Sequence, residues 1–147
     1  MNTTLENWVK YGWLVRHETG KQEIADLLAI ADRDIQTARL PDLPADWRLS
    51  IAYNAALQST NAALAASGYR AEKSAQHYRI IQTLEHTIEL AADTIDRIDA
   101  FRKKRNVSSY DRSGSVSEGE ANAMLLLAQK LRQAVEDWIR ANYPELM

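Results

Sequence analysis

A chain of 147 residues that is 46% hydrophobic has apolar material for one core and too little for two, so one domain spanning 1–147 is expected. A formal net charge of -2 and a pI near 5.9 give no global pull toward nucleic acid, which leaves polyanion binding to a local patch. The absence of cysteine excludes disulfides and thiolate chemistry, and no leader-like amino terminus or membrane-length apolar run is present, so a soluble cytoplasmic protein without a membrane partner is expected.

Thr3 and Glu6 have capping-box spacing, and Leu5, Trp8, Val9 and Leu14 form a short apolar stripe behind them, predicting a first helix that ends before Gly20. Thr19 and Gln22 repeat the signal. Ile24, Leu27, Leu28, Ala31 and Ile35 then follow helical spacing in a second helix that stops before Pro41. Asp46 is positioned to cap a third, from about Trp47 to Ser67, with Gly68 as its stop. This third helix carries Leu49, Tyr53, Ala56, Leu57, Thr60, Ala63 and Leu64 along one side and alanine over much of the rest, which invites close approach by neighbours. Asn54 and Asn61 share a face, either as a polar groove or as locally bonded amides.

A polar connection, Tyr69 to Lys73, leads to a fourth helix carrying Ile80, Ile81, Leu84 and Ile88. Ala92, Ile95, Ile98 and Phe101 form a fifth, continuous with the fourth or broken near Ala91. A polar turn over 111–115 follows Tyr110, and Ser117 with Glu120 has capping-box spacing ahead of the last helix. Its stripe is Ala121, Met124, Leu125, Ala128, Leu131, Val135, Trp138 and Ile139, and Pro144 ends it. With no strand-like alternation along the chain, the expected fold is an all-α bundle of about five or six helices.

The position that breaks this pattern is Arg105. The stripe Ile95, Ile98, Phe101 calls for another core residue four places beyond Phe101, and an arginine stands there. A guanidinium on a buried face must reach a carboxylate or open into a cleft that receives an anion. In the run Arg102-Lys103-Lys104-Arg105, complementing the carboxyl end of a helix dipole accounts for Lys103 and Lys104 but not for Arg105 followed by Asn106. Other groupings give weaker signals. His77 and His86 fall on opposite faces of one helix and, with His17, show no metal-ligand spacing. Asp93, Asp96 and Asp99 suit ion pairs of Asp93 with Arg97 and Asp99 with Lys103. Trp8 and Trp138 lie on apolar stripes, while Trp13 and Trp47 do not. No phosphate-cradling glycine loop or zincin pair occurs, and no cofactor or metal is expected.

An all-α chain with Arg105-Asn106-Val107-Ser108-Ser109-Tyr110-Asp111 ahead of its final helix resembles the HEPN superfamily, whose motif is Arg, four to six residues, then His. By helix order the resemblance runs from the second helix onward. It implies a helical homodimer whose paired motifs line a shared cleft, acting as a metal-independent endoribonuclease of toxin-antitoxin or defence type, as an inactive RNA or nucleotide binder, or as a partner of a nucleotidyltransferase or antitoxin. Carried over residue by residue, Arg105 matches the family arginine and Asn106 the polar residue after it, while Tyr110 stands at the histidine. Catalytic work would fall to Arg105, Asn106 and Tyr110, with Arg102, Lys103 and Lys104 as RNA contacts. Histidine, with a reference pKa of about 6.5, serves as base or acid at neutral pH, whereas tyrosine, at about 10, is a poor base and a hydrogen-bond donor. The departure shifts the expectation from efficient cleavage toward RNA or anion binding. In some toxin pairs of the family adenylate is attached to a tyrosine beyond the histidine, where this chain has Arg112. The rival expectation is a non-enzymatic protein-interaction module in which Arg105 pairs with a buried carboxylate.

Overall fold

A helix that must be covered on several sides needs small residues on more than one face, and α3 (Ala45–Ala66) has them. Ala52, Ala55, Ala56, Ala62 and Ala63 are all buried, and so are Ser59 and Thr60, whose hydroxyls donate back to the carbonyls of Ala55 and Ala56 at 2.9 and 2.8 Å. The structure, a computed structural model, describes residues 3–110 and 115–147; the side chains of 107–110 are outside that description. Around α3 lie α1 (Thr3–Lys10), β1 (Leu14–Arg16), α2 (Lys21–Ala38), β2 (Tyr69–Ala71), α4 (His77–Gln82) with a 3-10 turn at Thr83–Glu85, α5 (Ala92–Tyr110) and α6 (Glu118–Asn142). Among the described residues the fold is an all-α bundle of six helices. α2 and α6 make the most extensive packing against α3, and α4 and α5 close another side. No helix among the described residues is long and apolar enough to cross a membrane.

The apolar stripes fall where the sequence puts them. Ile24, Leu28, Ala31 and Ile35 of α2 and Met124, Ala128, Leu131, Val135 and Ile139 of α6 are buried together against α3. The capping box of α6 forms with both hydrogen bonds, Glu120 N–H to Ser117 Oγ at 3.0 Å and Ser117 N–H to Glu120 Oε1 at 2.9 Å.

Four expectations are corrected. The first helix does not run to Gly20. It ends at Lys10, Gly12 turns the chain at φ 80°, and Leu14–Arg16 pairs antiparallel with Tyr69–Ala71, the stretch read as a polar connection. Strands of three residues are too short for alternation to register in the sequence. Leu14 still joins Leu5, Leu64 and Tyr69 in a small second core, reached from a strand instead of a helix. α2 takes Gly20 as its N-cap, and the Thr19 hydroxyl bonds Glu23 instead of capping the backbone. α3 begins at Ala45 with Asp46 inside its first turn. The fourth helix is only His77–Gln82 and gives way to the 3-10 turn; of the two alternatives for the fifth, the broken one holds, with a left-handed Glu89 at φ 57° shortly before α5.

Three helices meet on Arg48. Buried in the first turn of α3, it donates to the Ala38 carbonyl at the end of α2 (2.8 Å) and to Glu118 (2.7 Å) and Asn122 (2.6 Å) on α6. Charged hydrogen bonds in a buried setting contribute more than neutral ones, whereas the Glu118 carboxylate is largely exposed and screened. Arg48→Ala is expected to destabilise the fold by about 2 kcal/mol in urea titrations, and Glu118→Ala by less than about 1 kcal/mol; equal losses would mean that the Ala38 and Asn122 bonds contribute nothing.

Candidate functional site

α5 enters the core with Ile95 and Ile98 buried and Phe101 packed against them. One turn further the face becomes cationic. The Arg105 guanidinium is half-buried, with its Cζ 5.3 Å from the centroid of the Tyr53 ring and Nη1 at 3.5 Å from the Asn106 side-chain oxygen. A cation over an aromatic face is held by the ring quadrupole. Tyr53 sits midway along α3, 1% exposed, and among the described residues its hydroxyl has no hydrogen-bond partner.

His77, the first residue of α4, packs on the same ring, with ring centroids 5.9 Å apart and planes tilted by 31°. The next residue, Tyr78, is exposed and lies 5.8 Å below the Arg102 guanidinium, which donates to Asp99 at 2.7 Å. Two arginines from α5 are thus set among two tyrosines and a histidine from α3 and α4.

The electrostatics follow from that arrangement. Burial pushes the Tyr53 phenol well above its ordinary value, against the pull of Arg105 and Arg102, so it is a protonated donor at neutral pH. Burial, then the positive charges of Arg105 and Arg102, hold His77 below the usual histidine value, so its ring is neutral near pH 7. Asp99 is nearly buried and offsets Arg102, with Lys103 3.5 Å from its second oxygen.

The residues singled out from sequence divide accordingly. Arg105, Asn106 and Arg102 lie together on this face. Lys103 is mostly exposed beside Asp99, and Lys104 reaches Glu120 of α6 at 3.3 Å, tying α5 to α6. The backbone is helical through Tyr110, but the Tyr110 side chain lies outside the described residues, as does the turn over 111–114. Of the expected aspartate pairs, Asp99 meets Lys103, while Asp93 accepts from the Thr94 N–H at 2.8 Å at the start of α5. Asn61 donates to Gln58 at 3.2 Å and is locally bonded, whereas Asn54 donates across to Asp34 of α2 at 2.7 Å and ties the two helices together.

Tyr53 and His77 are the residues that sequence reading missed. Tyr53 sat unmarked on an apolar stripe, although a buried tyrosine always poses the question of what its hydroxyl meets. His77 was weighed only as a metal ligand.

A concavity of about 490 Å³ lies at the α1 and ribbon corner, with Glu6, Arg16, Tyr69, His86, Trp138 and Tyr143 in its wall. Glu6, Arg16 and Tyr69 satisfy one another there. Arg16 and the Tyr69 hydroxyl both donate to Glu6, which holds that carboxyl below its ordinary value, while burial and the bond to Glu6 push Tyr69 up to about 12.

Among known proteins, no family model and no curated sequence matches this chain.

A buried hydroxyl without a partner costs desolvation that a phenylalanine avoids. Tyr53→Phe is expected to raise stability by about 1 kcal/mol in chemical denaturation. A loss of stability would show that the hydroxyl is bonded within the fold.

Proposed function

We propose that this chain is a HEPN-like RNA-binding protein whose phosphate site is the α3, α4 and α5 face around Arg105. The reading rests on one observation above the rest: the arginine that interrupts the apolar stripe of α5 is only half-buried and lies over the Tyr53 ring of α3. A guanidinium in that position offers planar donors to a phosphate. Arg102, its charge offset by Asp99, holds the face in shape, and exposed Lys103 adds long-range attraction. The exposed ring of Tyr78 beside Arg102 gives a base a surface to stack on.

The proposal includes a homodimer with two such faces bordering one cleft, as the resemblance implies, and a nucleotidyltransferase or antitoxin as the protein partner. The rival in which Arg105 serves only a buried ion pair predicts unfolding when it is removed.

Fluorescence anisotropy with a labelled single-stranded RNA tests the reading. Arg105→Ala is expected to keep its helical circular dichroism and melting temperature, to lose about tenfold in affinity and to lower the salt slope of binding by about 1. Unfolding of the variant, or unchanged affinity and slope, rejects the site; light scattering on the same samples gives the oligomeric state.

A further inference from the structure

The ends of α3 and α6 meet the ribbon around the concavity of about 490 Å³, which lies within the range of about 300–1,000 Å³ that holds small molecules. α3 gives way to a left-handed Gly68, φ 97°, whose carbonyl accepts from the His17 N–H at 2.8 Å, so part of the wall is bare backbone. Pro144 follows the end of α6, and Tyr143 folds back so that its ring meets Trp138, with centroids 5.5 Å apart and planes at 64°. Both rings are only half-buried, although Trp138 belongs to the apolar stripe of α6. Leu5 is the single aliphatic side chain in the wall; the rest is aromatic or polar.

Charge decides what such a wall accepts. Both Glu6 oxygens are taken, Oε1 by Arg16 and Oε2 by the Tyr69 hydroxyl. A cationic guest would find its counter-charge engaged and Arg16 beside it. Arg16 uses only Nη2 for Glu6, and its side chain is 64% exposed, so the rest of its fork is open to an anion. His86, packed on Trp8 at 5.5 Å between centroids, adds no negative charge in either protonation state. We infer that this concavity binds a small planar aromatic anion, its ring against Trp138 and Tyr143 and its anionic group on Arg16. The site is separate from the α3, α4 and α5 face and does not depend on the RNA reading. A flat ring gains offset or edge contacts on the indole and phenol, and a carboxylate or phosphate accepts charge-assisted bonds from the guanidinium. Aromatic carboxylic acids and nucleoside monophosphates share that chemistry.

Isothermal titration calorimetry on the full chain tests the site with indole-3-acetate and adenosine 5′-monophosphate as the two sources, against tryptamine and acetate. At least one of the two aromatic anions is expected to bind at one site per chain with Kd below about 1 mM, and the tighter of them names the source. Tryptamine, a similar ring on a cationic tail, and acetate, an anion without a ring, are expected to bind at least about tenfold more weakly. Arg16→Lys, which keeps the charge and loses the fork, and Trp138→Leu are each expected to weaken the anion about fivefold or more while keeping helical circular dichroism. Arg105→Ala is expected to leave that affinity unchanged. Where a variant fails to fold, the Trp138 indole N–H resonance of wild type decides, since it shifts on titration only if the ring is covered. Binding of neither aromatic anion, tryptamine binding as tightly as the anion, a still Trp138 resonance, or affinity lost in Arg105→Ala and kept in Arg16→Lys overturns the site.

Discussion

Close packing of neighbours onto α3 is the constraint on which the other elements depend. Alanine, serine and threonine along that helix let α2 and α6 approach with few side-chain atoms between the backbones, and the two hydroxyls return to their own helix so that nothing polar is stranded there. Arg48 and the Arg132 bridge to Asp32 lock the register of the same three helices from their margins. Against this background Tyr53 is the large exception. Its ring stands where α4 and α5 meet α3, and these two helices supply the groups that touch it.

That exception brings charge into a place where it is costly. Two guanidiniums near a buried ring are tolerable because each is treated differently: Arg102 is offset by Asp99, and Arg105 spreads its charge over an aromatic face at the edge of the core. The same charges lower the affinity of His77 for a proton, so the cationic groups do not repel a third cation at neutral pH. The face therefore presents positive charge and one neutral base, held by packing between three helices instead of by a loop.

Much of the helical layout was legible because α2, α5 and α6 bury one stripe each, and a period of 3.6 shows directly in the spacing of Ile24, Leu28 and Ile35 or of Leu131, Val135 and Ile139. α3 was legible for a different reason, its alanines. The ribbon was not, since Leu14 fits a helical stripe and a strand equally well, and what decides is Gly12 at a positive φ together with a partner far along the chain. Arg105 and Asn106 could be found because they violate a local pattern. Tyr53 and His77 violate none: each acquires meaning only from the tertiary contact between α3 and α4, which single-residue spacing does not encode.

The ribbon also shapes how the chain folds. It pairs residues 14–16 with 69–71, so closing it encloses the whole of α2 and α3 within one loop. The entropy lost in bringing those ends together is returned only by three-residue strands and the small cluster of Leu5, Leu14, Leu64 and Tyr69. Helices α2 and α3, neighbours in sequence, bury against each other without that cost, which makes them the natural early unit and the ribbon a late one. The amino-terminal segment is consequently a late-joining part of the native state, and because Arg79 of α4 lies over the Trp13 ring and His86 meets Trp8, its opening also loosens the α4 side of the bundle.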